Sequence, residues 1–184
     1  VSSLGYERAV ILGVSWGGVT ATRLAIRHPE LVSALILADS SVGSGTSPKQ
    51  AEAMRSRAGT LNELGAAEFA RQRSPLLVAE AAPQRIIDEV ERLFADSVRM
   101  PSYQWACNSM AETDHRDSLD SILVPTLVVC GDQDRVTPPK LSEELAEGIK
   151  RSTLAYVEGA GHLANQEHPA DFNDIVSRFV KSII

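Results

Sequence analysis

The stretch AVILGVSWGGVTATRLAIR, residues 9–27, combines the two patterns that decide the fold. Ala9 to Val14 is a short apolar run rich in β-branched residues, which predicts a buried strand. Gly17 and Gly18 follow directly, and a helical stretch continues to Arg27, where His28 and Pro29 end it. The segment therefore predicts a strand, a tight turn and a helix.

The same alternation continues along the chain. Further apolar runs predict strands at Ala34–Ala38, Thr126–Cys130 and Leu154–Val157. Helical spacing marks Leu141, Leu145 and Ile149, and it is strongest near the end of the chain, at Phe172, Ile175, Val176, Phe179, Val180 and Ile183. Strands that alternate with helices predict an α/β fold, with a mostly parallel sheet flanked by helices.

A long segment without a convincing strand interrupts this alternation. A polar Gly/Ser/Pro linker after Ser40 leads into residues with helical spacing, the clearest being Ile86, Ile87, Val90, Leu93, Phe94 and Val98 behind Pro83. We therefore divide the chain into an α/β part at residues 1–40, a helical insertion at residues 41–118 and a second α/β part at residues 119–184.

Composition excludes several classes of protein. The 184 residues are 43% hydrophobic and 23% charged, close to the averages for a globular chain. A net charge of −6 with scattered basic residues argues against a nucleic-acid partner. No apolar run is long enough for a membrane span. The two cysteines form no disulfide or zinc pattern, so we expect a cytoplasmic protein without a metal; the oligomeric state stays open.

Residues 13–17, GVSWG, match the pattern G-x-S-x-G at the predicted strand–helix junction. A sharp turn there would expose the Ser15 hydroxyl above the edge of the sheet, and the flanking glycines would avoid collisions with the strand and the helix. The N–H of Trp16, at the helix N-terminus, is placed to donate to an oxyanion. The alternative is a Gly-rich turn that only packs the helix on the sheet.

A nucleophilic serine needs a base, and four histidines are available. His28 and His168 each precede a proline at a helix boundary, where a solvated position is expected, and His115 lies in a charged run that we expect to face water. His162 follows the last predicted strand in a Gly-rich loop. The carboxyl ends of parallel strands are where catalytic groups gather, so His162 is the predicted base.

The acid is expected at another strand end on the same edge of the sheet. Asp134 follows the strand that ends at Cys130, which gives the order nucleophile, acid and base along the chain. Asp132 is a close rival, although its position beside Gly131 suggests an Asx-turn that shapes the loop. Asp39, at the end of the second strand, is the other candidate.

Together these segments resemble the α/β-hydrolase superfamily over nearly the whole chain. GVSWGG is similar to the nucleophile elbow of that family, GDQDRVTPP to its acid loop and GAGHLANQEHP to its histidine loop. The resemblance implies Ser15 as nucleophile, Asp134 as acid, His162 as base and the Trp16 N–H as an oxyanion donor. It also implies that residues 41–118 form a helical cap, and that the chain is most similar to 3-oxoadipate enol-lactonases and related carboxylesterases.

The resemblance further implies upstream structure. The family places several strands and an oxyanion loop before the nucleophile, whereas eight residues precede the first predicted strand here. At roughly 30 residues per βα unit, about 90 residues would be missing. We therefore expect this chain to be the C-terminal part of an α/β-hydrolase fold, with the second oxyanion donor upstream.

The function expected from this resemblance is hydrolysis of an ester, lactone or similar acyl bond of a small molecule, without a cofactor. C–C bond hydrolysis and cofactor-free perhydrolysis use the same triad, and a non-catalytic ligand-binding protein or receptor can keep the fold. Four large side chains of the cap are expected to line the acyl pocket or, alternatively, to form plain core: Met100, Tyr103, Trp105 and Met110.

Overall fold

The computed structural model describes residue 3 and residues 5–183, and in it four parallel strands form one sheet. The strands are β1 (Ala9–Val14), β2 (Val32–Ala38), β3 (Thr126–Gly131) and β4 (Ser152–Val157). They lie side by side in chain order, and all three pairings are parallel. The predicted α/β class is confirmed, and every strand presents its carboxyl end to the same edge of the sheet.

Helices connect the strands. The helices are α1 (Trp16–Arg27), α2 (Pro48–Arg73), α3 (Gln84–Ser97), α4 (Ser102–Ala111), α5 (Pro139–Gly148), α6 (Ala164–Glu167) and α7 (Pro169–Ile183). Three of them, α2, α3 and α4, lie between β2 and β3, in the segment predicted as a helical insertion. The division of the chain into separate domains stays a prediction.

Alternate residues of β2 point into two different cores, which explains why its apolar run is continuous. Leu35 and Leu37 pack with Leu145 and Ile149 on one face of the sheet. Ile36 and Ala38 belong to the core on the other face, which includes Val129 and Phe172. Both faces of the central strands are therefore covered, as in other parallel sheets.

The first strand, β1, has an uncovered face. Val10 is 38% exposed and Leu12 is 45% exposed, although both are apolar residues in a parallel strand. Among the described residues β1 pairs only with β2. The strand that leads to the candidate nucleophile is therefore partly open to solvent on one face.

The longest helix, α2, is kinked at Gly65. This glycine has φ 73° and ψ 166° inside an otherwise helical segment of 26 residues. A positive φ of this kind is tolerated by glycine and strained for other residues. The kink divides α2 into an N-terminal and a C-terminal part. No helix in the part of the chain that the structure describes is both long and apolar enough to cross a membrane.

Candidate active site

Ser15 lies on a sharp turn between β1 and α1. Its φ of 52° is positive, which is uncommon for a residue other than glycine, and its backbone N–H donates to the carbonyl of Ala38 at 2.8 Å. Helix α1 begins at the next residue, Trp16. Strained backbone of this kind is typical of functional sites, and here it holds Ser15 at the carboxyl edge of the sheet.

The glycines around Ser15 have different roles. A Cβ at Gly13 would lie 2.2 Å from the backbone carbon of Gly17, and a Cβ at Gly18 would lie 2.3 Å from Oγ of Ser40. Apart from its chain neighbours and the backbone of its own helix, no heavy atom of the described residues lies within 4 Å of a Cβ placed at Gly17. The prediction that both flanking glycines of the motif avoid collisions is therefore correct for Gly13 and wrong for Gly17, while Gly18 has the steric role instead.

A chain of hydrogen bonds joins the three predicted catalytic side chains. Nε2 of His162 lies 2.8 Å from Oγ of Ser15, and Nδ1 of His162 lies 2.8 Å from Oδ2 of Asp134. The side chains of His162 and Asp134 are 4% and 0% exposed. When Nδ1–H donates to Asp134, Nε2 is free to accept the proton of Ser15, which is the arrangement that general-base catalysis requires.

The Asp134 carboxylate is held by its own loop. Oδ1 accepts hydrogen bonds from the backbone N–H groups of Val136 at 2.7 Å and Thr137 at 2.9 Å, and Oδ2 accepts from Oγ1 of Thr137 at 2.7 Å. The same Oγ1 lies 3.1 Å from Nδ1 of His162. These bonds fix the carboxylate in one orientation. The sequence did not predict this role for Thr137. The signal that could have indicated it is a Thr three residues after an Asp in a loop.

The three candidate catalytic residues come from different parts of the sheet. Ser15 follows β1 and His162 follows β4, the two outer strands of the described sheet, so the loop after β4 must pass over the end of β3. Gly131, the last residue of β3, permits this passage, because a Cβ there would lie 2.2 Å from the carbonyl oxygen of Ala160. The sequence predicted that the three side chains meet at one edge of the sheet. It did not predict that the loop after β4 passes so close to Gly131.

Two cavities border Ser15. The larger, of about 360 Å³, is also lined by His162, and most of its lining residues lie in the segment between β2 and β3. Its apolar walls are Leu77, Phe94, Val98 and Tyr103, and its cationic side chains are Arg57 and Arg73. The smaller, of about 210 Å³, includes Met54, Met110 and Arg57. A small organic molecule placed in either cavity would reach the hydroxyl of Ser15.

The comparison with known protein families agrees with this geometry. A family model described as the alpha/beta hydrolase fold matches residues 1–169. The chain belongs to the α/β-hydrolase family. The matched range contains Ser15, Asp134 and His162, so all three predicted catalytic residues of this α/β hydrolase lie within it.

Curated relatives of this α/β hydrolase carry enzyme names. It is 32% identical over 180 residues to 3-oxoadipate enol-lactonase 2 of Acinetobacter baylyi, covering 97% of this chain and 66% of that protein. It is 27% identical to 2-hydroxy-6-oxononadienedioate/2-hydroxy-6-oxononatrienedioate hydrolase of a Pseudomonas species, covering 98% of this chain and 65% of that protein. The chain thus spans about two thirds of the length of these relatives.

A solved structure extends the likeness to three dimensions. A thermophilic esterase from Thermogutta terrifontis, with malate bound, superposes with a TM-score of 0.88 at 26% identity. The superposition covers 99% of this chain and 68% of the esterase chain. The fold and the esterase-type relatives agree with the resemblance seen in the sequence.

The four cap residues predicted to line the pocket separate into two groups. Tyr103 lines the larger cavity of the α/β hydrolase, and Met110 lines the smaller one. Trp105 is 66% exposed and faces a separate groove, and Met100 is 40% exposed and lines neither cavity. Because Trp105 lies two positions after Tyr103 on α4, it points away from the face that carries Tyr103 and Met110. The structure therefore does not bring Trp105 and Met100 to Ser15.

The two rival acids do not contact His162. Oδ1 of Asp132 accepts from the backbone N–H of Gly159 at 2.8 Å, so this exposed side chain ties the acid loop to the histidine loop. The sequence suggested an Asx-turn at Asp132, but its side chain bonds instead to a residue 27 positions further along the chain. Asp39 is buried, and its Oδ1 accepts from the N–H of Gly131 at 2.9 Å. Its Oδ2 has no hydrogen-bond partner among the described residues.

Asp39 is expected to make the stability of the fold depend on pH. The pKa of Asp39 is raised from 3.8 to about 8, mainly because the residue is buried. The hydrogen bond from the Gly131 N–H lowers this pKa, and the nearby charge of Asp134 raises it. Between about pH 4 and pH 8 the folded chain keeps a proton that the unfolded chain has released. The free energy of unfolding therefore falls as pH rises through this window, by at most about 1.4 kcal/mol per pH unit. Asp39→Asn should flatten this slope in urea unfolding between pH 5 and pH 8.

The control for this prediction is Asp132→Asn, which removes an exposed carboxylate directly after Gly131, the residue that donates to Asp39. Asparagine also tolerates the positive φ of 46° at Asp39, so the Asp39→Asn substitution introduces little backbone strain. Equal pH slopes for the wild type and Asp39→Asn would contradict the prediction that Asp39 keeps a proton in the folded chain.

The remaining histidines take no part in the site. The side chains of His28 and His168 are 56% and 41% exposed at helix ends, as predicted. The prediction for His115 is wrong, because this residue is 8% exposed and its Nε2 lies 3.2 Å from the carbonyl of Val19. Burial lowers the pKa of His115, which favours its neutral form. The prediction failed because it rested on the charged neighbours of His115 in the sequence, whereas its contact is with Val19 on α1.

The oxyanion donors stay a prediction. Trp16 is the first residue of α1, where a backbone N–H has no acceptor within its own helix. Its indole ring stacks on Tyr103, with ring centroids 5.5 Å apart, which links the elbow to the cap.

Proposed function

We propose that the protein is a serine hydrolase that cleaves an ester, a lactone or a similar acyl bond of a small molecule. The observation that carries the proposal is the continuous chain of hydrogen bonds from Ser15 through His162 to Asp134. The named enol-lactonase and esterase relatives support an acyl substrate. The cavity of about 360 Å³ beside Ser15 and His162 has room for one small molecule.

In the proposed reaction, Oγ of Ser15 attacks the carbonyl carbon of the substrate while Nε2 of His162 takes its proton. The imidazolium that forms is stabilised by Asp134, and it returns the proton to the leaving oxygen as the acyl bond breaks. The leaving alcohol departs, or stays attached to the acyl chain if the substrate is a lactone. Water then repeats the sequence at the acyl-enzyme, with His162 as base, and releases the carboxylic acid and free Ser15.

The same three side chains can also serve C–C bond hydrolysis or perhydrolysis, and a receptor can hold a ligand in the same cavity without turnover. A panel of activated esters, lactones and diketones separates the chemical alternatives. Ligand-dependent stabilisation without turnover of any of them would favour the receptor.

The central test is covalent labelling by a fluorophosphonate probe, followed by intact-mass detection. A fluorophosphonate reacts preferentially with an activated serine, so we expect one adduct on the wild-type chain and none on Ser15→Ala or His162→Ala. Ser177→Ala and His28→Ala remove an exposed serine and an exposed histidine outside the site and should keep the adduct.

Circular dichroism of every variant shows whether loss of labelling follows from loss of fold. An adduct retained by folded Ser15→Ala would contradict the role of this serine. Absence of an adduct on the folded wild type would show that these 184 residues alone do not form a working site.

A further inference from the structure

The loop that carries His162 lies directly against residues 75–79, the anchor segment, which connects α2 to α3. A Cβ at Gly161 would lie 2.3 Å from the backbone nitrogen of Ala79. On the other side of His162, Leu163 packs against a cluster of three buried residues: Val78, Ile86 and Val90. Both neighbours of His162 in the sequence are thus packed against this region of the chain.

The carboxylate of Glu167 joins the loop to the anchor segment. Its Oε1 accepts from the backbone N–H of Gly161 at 2.8 Å, and its Oε2 accepts from the backbone N–H of Ala79 at 2.7 Å. Neither N–H has another acceptor among the described residues, and no ion pair in that part of the chain includes Glu167. One half-buried carboxylate therefore satisfies two donors from distant parts of the chain.

The peptide group that precedes His162 is fixed from both sides. Its carbonyl, on the buried residue Ala160, accepts from the backbone N–H of Gln133 in the acid loop at 2.9 Å. Its N–H, on Gly161, donates to Glu167. Because a peptide group is planar, holding both polar groups fixes the direction in which the chain enters His162. Glu167 thus acts on the backbone immediately before the candidate base.

The anchor segment is bonded to the acid loop as well. The guanidinium group of Arg135, the residue after Asp134, donates to the carbonyls of Pro75 at 2.8 Å and Val78 at 3.1 Å. Leu77, in the middle of the segment, lines the cavity of about 360 Å³. The same five residues therefore contact the acid loop, the histidine loop and the cavity.

Resting on the proposed function, we propose that Glu167 is a positioning residue that holds Nε2 of His162 at bonding distance from Oγ of Ser15. Glu167 lines neither cavity beside Ser15, so it acts through the backbone rather than on a substrate. Serving two N–H groups requires two acceptor oxygens, and an ionised carboxylate accepts more strongly than a neutral group. A Gln offers one oxygen, so it would leave the N–H of Gly161 or Ala79 without an acceptor in a buried place.

The test is Glu167→Gln, which keeps the size of the side chain. We expect kcat for an activated ester to fall about 10- to 100-fold, with KM changed less than about threefold, because a displaced base slows the chemical steps. The rate of fluorophosphonate labelling of Ser15 should fall by a similar factor. Glu158→Gln is the matched control, since it makes the same chemical change at an exposed position three residues before Gly161. It should leave both rates within about twofold of the wild type.

A purely structural role would change stability and leave kcat unchanged. Circular dichroism gives the unfolding temperature of each variant, and kcat is measured well below it. Folded Glu167→Gln with the kcat of the wild type would overturn the inference, whatever its unfolding temperature. If Glu167→Gln does not fold, Glu167→Asp replaces it. This variant keeps the charge on a side chain too short to hold both N–H groups, so kcat should fall about 3- to 10-fold, and a wild-type kcat would again overturn the inference.

Proton NMR separates this inference from the proposed function. The Nδ1–H of His162, held by Asp134, should give a signal far downfield of the amide protons, identified by its absence from His162→Ala. Glu167→Gln should shift or broaden this signal, and Glu158→Gln should not. That result in a wild type without turnover or labelling would contradict the proposed hydrolase and leave the positioning of His162 standing. Turnover that depends on Ser15, with an unchanged signal in folded Glu167→Gln, would contradict the role of Glu167 alone.

Discussion

Replacing Asp134 with Asn is expected to lower kcat/KM for any substrate of the proposed reaction about 10⁴-fold, with the fold intact. The Asp134 carboxylate accepts from Nδ1–H of His162 at 2.8 Å, which leaves Nε2 free to accept from Ser15. The amide of Asn can donate to Nδ1, and a ring bound in this way carries its proton on Nε2. That tautomer cannot take the proton of Ser15. Steady-state kinetics with an activated ester measures the loss.

Asp132→Asn is the control for this change, since it lies in the same loop and removes the same charge. An Asn there keeps an oxygen that can accept from the Gly159 N–H, so we expect kcat/KM within a few fold of the wild type. A loss at Asp132 as large as that at Asp134, or less than a tenfold loss at Asp134, would mean that Asp134 does not set the tautomer of His162.

The second large effect is expected on the fold itself. Gly13→Ala should destabilise the chain by more than about 3 kcal/mol, because the new Cβ would lie 2.2 Å from both the carbon and the oxygen of the Gly17 backbone. These are backbone atoms of the turn that holds Ser15, so they cannot move aside as a flexible side chain can. Urea unfolding measures the change, and fluorophosphonate labelling of any folded fraction shows whether the turn survives.

Gly17→Ala is the matched control within the same motif. Gly17 lies in the first turn of α1, and apart from its chain neighbours and the backbone of that helix no heavy atom of the described residues lies within 4 Å of a Cβ there. Alanine is favoured over glycine in a helix by up to about 1 kcal/mol, so stability should stay the same or rise. Similar losses at both glycines would contradict the steric distinction between them.

Much of the fold and the centre of the site followed from local patterns. Apolar runs and helical spacing are properties of neighbouring residues, so the strands and the strongest helices could be predicted from them. Ser15, Asp134 and His162 each follow a predicted strand, and parallel strands bring their carboxyl ends to one edge. Their side chains could therefore be grouped without knowledge of the distances between them.

Other features depend on contacts between distant parts of the chain. The burial of His115 depends on Val19, and the steric role of Gly18 depends on Ser40. Nothing near these residues in the sequence indicates their partners. The arginines at positions 57 and 73 look like other charges on a helix surface until the path of α2 over Ser15 is known. Helical spacing does not fix which face of a cap helix looks inward.

The kink in α2 has a consequence for how the cavity beside Ser15 can change. Arg57 and Arg73 lie before and after Gly65, so the bend there sets the span between the two guanidinium groups. Lengthening, shortening or straightening this one helix would change the distance between these two side chains, which line the cavity beside Ser15, without altering Ser15, Asp134 or His162. The shape of the cavity can therefore change independently of the three candidate catalytic side chains.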